Sequence, residues 1–330
     1  MRDIHTDTVL IVIVNYKTAG LTIECLHSLL LERESVEFKV TVIDNDSQDG
    51  SYGTLLSAVD AQGWAQWVTV VQAEVNGGFS YGNNLAIRNF LAREFPPEYI
   101  YLLNPDTVVR KGAINSLVSF LDSHSAAGMV GSRLEGLDGT PQGSSFRFHT
   151  WLSELDRGFR WGFISKILNL QDANQAPSQA TKTDWVAGAS MLIRTDVFRQ
   201  VGLLDESYFM YYEEMDFCLQ AARCGWECWY EPNSRVVHYV GQSSGVTDTS
   251  VKAKRRPAYW FDSRRRFFVK NYGVIRACLA DIAWLTGYSA WVVRNLIQKK
   301  THNNPPHFLY DSLMNSVFIK GVGMLPAKNK

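Results

Sequence analysis

Short runs of Val, Ile and Leu alternate with helix-spaced apolar residues through the first third of the chain. Residues 9–14, 40–43, 67–72, 99–103 and 128–131 each read as strands. Ile23, Leu26, Leu29 and Leu30 form a helical stripe after the first strand, and Ile114, Leu117, Val118 and Leu121 form another after the fourth. Ser80 predicts an N-cap for a helix over 81–92. This alternation predicts βαβ units, and hence an α/β fold with a mostly parallel sheet flanked by helices.

From 134 to 183 the pattern decays into Gly, Ser, Gln and Asn with scattered aromatics, which predicts a long excursion holding one or two short helices. Order returns with a strand over 185–194, a helix from about Glu213 through Ala222, and a strand over 234–238 that ends in His238. After Gly245 the chain is basic and aromatic at helical spacing. The expected organisation is therefore one large catalytic and nucleotide-binding domain over 1–245, with 134–183 on its acceptor side, and a helical C-terminal extension over 246–330.

The 330 residues carry 33 Lys plus Arg against 33 Asp plus Glu, so no global field recruits nucleic acid. Five cysteines without paired zinc spacing read as reduced thiols. The first apolar run is too short and too β-branched for a secretion signal, so export is not expected. The late apolar segment 274–297 is interrupted by Arg276, Asp281 and Arg294 and does not read as a membrane span. The segment 252–270 interleaves Lys and Arg with Tyr259, Trp260, Phe261, Phe267 and Phe268; a solvated basic face, a diphosphate grip and an interfacial helix on an anionic leaflet all fit that pattern.

The polar loops that follow the strands carry the chemistry, because an open parallel sheet binds ligands at the carboxyl ends of its strands. Asn15-Tyr16-Lys17-Thr18 and Asp44-Asn45-Asp46-Ser47 suit a nucleotide base, with Asp44 accepting from a pyrimidine N3–H and the backbone at Asn15 and Tyr16 packing on the ring. Asn76, Gly77 and Gly78 bring bare backbone to a helix start, where a phosphate or sugar can approach. Asn104-Pro105-Asp106-Thr107 aims Asp106 at a Mg²⁺ or Mn²⁺ ion bridging the diphosphate, although alone it is equally a turn and N-cap. Glu213, Glu214 and Asp216 crowd one helical turn after an aromatic run, which suits either a cap or a general base of raised pKa. His238 is a candidate second metal ligand, Trp185 a stacking platform for a sugar, and Gly188 a flexible neighbour to it.

In this order the motifs resemble the inverting family 2 glycosyltransferases of GT-A fold, especially a bacterial rhamnosyltransferase-like branch, over roughly 9–239. The resemblance rests on Val-Ile-Val-Asn-Tyr-Lys-Thr, Asp-Asn-Asp-Ser, Asn-Gly-Gly-Phe-Ser-Tyr-Gly-Asn-Asn, Leu-Leu-Asn-Pro-Asp-Thr, Val-Ala-Gly-Ala and Tyr-Glu-Glu-Met-Asp. It implies that Asp44 contacts the donor base, that Asp106 is the surviving carboxylate of an Asp-X-Asp metal motif whose first position is Asn104, and that Glu214 stands at the catalytic-base position. His238 matches a metal-binding histidine found in part of the family. Because Glu214 replaces a more usual aspartate, Glu213 and Asp216 stay open as the base. The expected protein is a metal-dependent hexosyltransferase using a dTDP- or UDP-sugar, with L-rhamnose the leading donor, and a glycan or lipid-linked acceptor in surface polysaccharide synthesis. It is expected at the inner face of the cytoplasmic membrane, reached through the basic aromatic tail, with an oligomer allowed. The rival expectations are a sugar nucleotidyltransferase, which the first loop does not suit, and a catalytically silent glycan-binding or membrane-assembly relative, which has no need of Asp106 and Glu214.

Overall fold

A computed structural model describes residues 8–162, 176–239, 253–300 and 303–323. Strand β1 (Val9–Asn15) lies at the heart of the sheet and is apolar on both sides. Val9, Ile11 and Ile13 face one core cluster, and Leu10 and Val12 the other. That is the two-faced burial expected when helices cover both sides of a sheet. The parallel partners of β1 are β2 (Phe38–Asp44) and β4 (Tyr99–Leu103), and β3 (Val68–Gln72) extends the sheet beyond β2. Helices α1 (Ala19–Leu29), α2 (Ser51–Ala61) and α3 (Gly78–Leu91) make the connections.

Past β4 the sheet becomes mixed. Strand β10 (Ser190–Arg194) runs antiparallel to both β4 and β6 (Ala127–Glu135), while β11 (Glu227–His238) is parallel to β6 and antiparallel to β5 (Thr107–Val109) and β8 (Thr181–Thr183). The full order is β3-β2-β1-β4-β10-β6-β11-β5, with β8 on β11. The parallel character expected from the sequence thus belongs to the first four strands in space. The second half is closed by long returns, among them α4 (Ala113–Ser123).

Three local expectations are revised. Helix α3 begins at Gly78 and not at Tyr81, with Gly77 at its N-cap and Ser80 buried inside it; its first two N–H groups are taken from outside the helix, Gly78 N by Asn76 Oδ1 at 3.1 Å and Phe79 N by Phe209 O at 2.9 Å. Leu30 ends the α1 stripe on the outside, 38% exposed. The segment 185–194 is two strands, β9 (Trp185–Val186) and β10, broken at Ala187-Gly188-Ala189 because β9 leaves the main sheet to pair with β7 (Ser145–Phe146).

The excursion contains β7 and α5 (Trp151–Phe159), whose N-cap Thr150 and Ser153 form a reciprocal capping box. Residues 163–175 of it lie outside the described residues. Helices α6 (Thr195–Val201) and α7 (Glu213–Arg223) precede β11. The C-terminal extension consists of α8 (Ala258–Ile297), broken at Gly273 (φ 80°, ψ 169°), followed by α9 (Phe308–Met314) and α10 (Val317–Lys320). It is anchored where α5 crosses α8. A Cβ on Gly158 would lie 2.8 Å from Trp284 O, and one on Gly287 would lie 2.6 Å from Leu155 O, so only glycine admits this backbone approach.

Candidate active site

The in-register pairing of β1 with β2 sets Asn15 beside Asp44 at the carboxyl edge of the sheet. Both are buried. Asn15 Nδ2 donates to Asp44 Oδ1 at 2.7 Å, and Ser47 Oγ donates to the same oxygen at 2.5 Å. Asn15 Oδ1 accepts from Thr18 Oγ1 at 3.1 Å and Thr22 Oγ1 at 2.9 Å. Asn15 is thus a positioning residue that fixes the Asp44 carboxylate. Tyr16 is 38% exposed beside it, with the Lys17 ammonium 5.1 Å from its ring centre. Asn45, which the sequence places in the Asp44-Asn45-Asp46-Ser47 motif without a role of its own, belongs here as well. Its Nδ2 donates to Asn76 Oδ1 at 2.9 Å and to Gly78 O at 3.1 Å, while its buried Oδ1 has no hydrogen-bond partner among the described residues. Its place directly after a strand end was the available signal.

Gly77 and Gly78 meet a packing demand. A Cβ on Gly78, which has φ +84°, would lie 1.9 Å from Phe209 O, and one on Gly77 would lie 2.4 Å from the Tyr81 ring. Phe79 N donates to that same Phe209 carbonyl at 2.9 Å. The glycine loop is therefore clamped to the aromatic segment leading into α7.

Asp106 and His238 meet through strand pairing. In the β5–β11 register Thr107 lies opposite His238, and Tyr239 N donates to Asp106 O at 3.0 Å. His238 Nε2 comes within 3.5 Å of Asp106 Oδ1, with Asp106 1% and His238 17% exposed at the side chain. Asn104 is held one turn earlier, its N–H donating to Ala189 O at 3.0 Å and its carbonyl accepting from Thr107 Oγ1 at 2.7 Å. An oxygen and a nitrogen donor side by side suit a divalent cation such as Mg²⁺ or Mn²⁺. Among the described residues no group of three or more His, Cys, Asp or Glu is placed to hold a metal ion.

Two consecutive residues with left-handed backbone, Tyr211 (φ 72°) and Tyr212 (φ 71°), launch α7. Such conformations cost about 1–3 kcal/mol each and persist where the surroundings enforce them. They deliver the three carboxylates to different environments. Burial raises the Glu214 carboxyl, and the nearby backbone of Glu214 and Gly188 offsets only part of that rise. Burial and the adjacent Glu214 push Glu213 well above the usual carboxylate range. Asp216 turns the other way: it receives Lys270 Nζ at 2.6 Å, Asn271 Nδ2 at 2.7 Å and Tyr208 Oη at 3.3 Å, so it ties α7 to the C-terminal extension.

Gly188 lies between the Phe79 ring and Glu214. A Cβ there would be 3.1 Å from Phe79 and 3.8 Å from Glu214 Cβ. The same short break, Ala187-Gly188-Ala189, holds Asn104 through Ala189 O, so one loop touches both the Asn104–Thr107 loop and Glu214. Trp185 is partly buried and packed, stacked on Phe146 at 4.3 Å between ring centres with its indole N–H donating to Arg147 O at 3.0 Å. One of its faces is taken by protein.

The basic run 252–270 is largely spent inside the molecule. Arg264 pairs with Glu154 at 2.7 Å and with Asp281, Arg265 with Asp262 at 2.7 Å, Arg266 with Asp205 at 2.7 Å, and Arg255 with Asp311 at 2.6 Å. Arg264 and Arg265 are 12% and 6% exposed, so the expected solvated basic face does not exist at these positions. Asp205 is held down to about 2: burial opposes ionisation, but Lys270 and Arg266 outweigh it. Arg256 is set over Trp260 at 5.3 Å with its Nε buried, and Lys252 lies outside the described residues.

The sequence and the fold have counterparts among known proteins. Residues 6–259 match the model of the family described as glycosyltransferase like family 2. The chain is 30% identical over 307 residues to the low-salt glycan biosynthesis hexosyltransferase Agl10 of Haloferax volcanii, covering 89% of this chain and 86% of that one. It is 26% identical over 270 residues to an N-acetylglucosaminyl-diphospho-decaprenol L-rhamnosyltransferase of Mycobacterium tuberculosis, covering 78% and 84%. The fold matches that of the mannosyltransferase PcManGT from Pyrobaculum calidifontis, solved with GDP-Man and Mn²⁺, at a TM-score of 0.56 and 13% identity over 98% of this chain and 86% of that one. The chain belongs to glycosyltransferase family 2 and adopts the GT-A fold.

Proposed function

We propose that this glycosyltransferase moves a hexose, L-rhamnose first among candidates, from a dTDP- or UDP-linked donor to a lipid-linked saccharide in surface polysaccharide synthesis, inverting the anomeric centre in one displacement. The observation that carries the reading is the Ala187-Gly188-Ala189 break, whose Ala189 carbonyl accepts from Asn104 N–H at 3.0 Å and whose Gly188 packs against Glu214, its Cβ position 3.8 Å from Glu214 Cβ, so that the Asp106–His238 pair and a buried carboxylate are reached from one loop. Asp44 and Tyr16 would receive the base, and the Asn76 to Gly78 loop the diphosphate side of the donor. Glu214 takes the acceptor hydroxyl proton as the oxygen attacks the anomeric carbon, and the bond to the nucleoside diphosphate breaks on the opposite face. Asp106 and His238 would hold Mg²⁺ or Mn²⁺, which when bound neutralises charge on the departing diphosphate. The relative that acts on N-acetylglucosaminyl-diphospho-decaprenol supports the choice of a lipid-linked acceptor, and the Mn²⁺ complex of PcManGT supports the cation. The inner face of the cytoplasmic membrane is the compartment that suits both substrates.

The test is incubation of purified protein with dTDP-L-rhamnose or UDP-hexoses and a short-chain N-acetylglucosaminyl-diphospho-lipid, with Mn²⁺ or EDTA. Release of nucleoside diphosphate, and proton NMR of the new linkage, are followed. An inverted, Mn²⁺-dependent product is expected. Retention of configuration, or full turnover in EDTA, sinks the mechanism.

A further inference from the structure

The limb of α8 beyond Gly273 is apolar on two sides. Its inner side, with Ala280, Trp284, Gly287 and Trp291, is buried against α5 and α9. Its outer side is not covered by any of the described residues. Ile275, Leu279, Ile282, Val293, Leu296 and Ile297 are 42–78% exposed. At 100° per residue these six fall within one sector of about 120°, and the stripe from Ile275 to Ile297 is about 33 Å long at 1.5 Å per residue. Tyr310 of α9 and Phe318 and Ile319 of α10 are also more than half exposed. Among the described residues no helix is long and apolar enough to cross a membrane.

The charge around this stripe has one sign. The sequence after Lys270 contains two acids, Asp281 and Asp311, and both are buried against Arg264 and Arg255. Arg276, Lys299, Lys300 and Lys320 are exposed. An uncovered apolar stripe bordered by cations and bare of carboxylates complements an anionic bilayer surface. It does not complement itself, because a two-fold pairing of the stripe would bring Arg276, Lys299 and Lys300 against their own copies with no carboxylate to offset them.

We infer that the outer face of residues 274–297 lies in the plane of an anionic bilayer as a monotopic docking surface. The aromatic arginine run before it is not that surface, since Arg264, Arg265, Arg266 and Lys270 are spent in ion pairs within the fold. The inference deepens the proposed function, because a lipid-linked acceptor must be met at a bilayer, but it is tested without donor or acceptor.

Full-length protein is floated with vesicles of phosphatidylcholine alone or with phosphatidylglycerol added, at low and high salt. The wild type should float with the anionic vesicles, less at high salt. The exposed triple variant Ile275→Gln, Ile282→Gln, Leu296→Gln should lose at least tenfold in partitioning with an unchanged melting temperature. Lys299→Gln with Lys300→Gln should weaken binding to anionic vesicles alone, and Lys254→Gln, in the arginine run, should leave it unchanged. Failure of the wild type to float, or partitioning indifferent to the triple variant, overturns the inference, as does a concentration-dependent dimer that the triple variant dissolves without any vesicle binding. Turnover on a water-soluble acceptor analogue is independent of all these outcomes, so the transferase reading fails or survives separately.

Discussion

His238 Nε2 lies 3.5 Å from Asp106 Oδ1, although the two residues are far apart in sequence, because β5 and β11 pair with Thr107 opposite His238. Side-chain donors placed by sheet register do not need to be reordered when a cation arrives. Removing the imidazole should therefore weaken metal use more than it weakens folding. His238→Ala is expected to raise the Mn²⁺ concentration for half-maximal turnover by about 10–100-fold, the usual cost of losing a partner at a metal site. Asp106→Asn should abolish metal-dependent turnover while the far-UV spectrum stays native. A Mn²⁺ titration of the two variants decides the matter, and an unaltered requirement in both would remove the cation from this position.

Glu213 and Glu214 are adjacent and both raised by burial, and Glu214 packs beside Gly188, whose Cβ position is 3.8 Å from Glu214 Cβ. Glu214→Gln should lower kcat by about 10²–10⁴-fold, the range for a lost general base. A base must be ionised, so activity should fall as pH drops through a value above the usual glutamate pKa of about 4.3. The stability effect has the opposite sense. A folded-state pKa above the unfolded one means that the folded protein keeps protons the unfolded chain has released, so stability declines as pH rises from the unfolded value upward. Glu213→Gln should accordingly melt higher than wild type at neutral pH and equally at acid pH. Melting curves and pH–rate profiles separate the two glutamates. Inactivity in Glu213→Gln with turnover retained in Glu214→Gln would move the base by one residue.

The sheet centre and its loops were legible because local pattern decides them. Val9 to Asn15 must be buried on both faces, and Asp44 and Asp106 follow strands whose direction the connecting helices dictate. Three features were not legible. The break at Gly188 depends on β9 pairing with β7, a contact between segments whose local pattern says nothing of each other. Asp216 looked equivalent to its neighbours until α8 brought Lys270 to it. The arginines of 252–270 looked solvated because sequence gives the number of cations and not the acids that receive them, the buried Glu154 and Asp281 and the half-buried Asp205.

Gly78 separates a packing role from a phosphate-approach role. With φ +84° and a Cβ position 1.9 Å from Phe209 O, Gly78→Ala must distort the loop or push back the segment before α7. Strain and overpacking together should cost roughly 2–5 kcal/mol. Because Phe79 N is bonded to that carbonyl, the distortion should also reach Tyr211 and Tyr212 and lower kcat in whatever fraction stays folded. Urea unfolding measures the first effect and turnover per folded molecule the second. A variant of wild-type stability would show that the loop has room the geometry denies.

The ion pair between Lys270 and Asp216 couples the C-terminal extension to the helix that carries Glu214. Its Nζ to Oδ2 distance is 2.6 Å, with the lysine 28% and the aspartate 4% exposed at the side chain. Lys270→Met removes the ammonium and leaves the carboxylate with Asn271 and Tyr208, so the loss should be about 3 kcal/mol, the low end for breaking a buried pair. Asp216→Asn alone leaves Lys270 a second acid, Asp205 at 2.9 Å, and should cost less. The double variant should then be more stable than the sum of the singles predicts, by about 0.5–3 kcal/mol of coupling. If the extension positions α7, Lys270→Met should also lower kcat with little change in donor KM, since the donor loops lie on other elements. A double-mutant cycle in urea, run beside steady-state kinetics, tests both parts: strict additivity would mean that the two side chains do not act as a pair, and wild-type kcat in Lys270→Met would mean that the tail stabilises the enzyme without tuning its base.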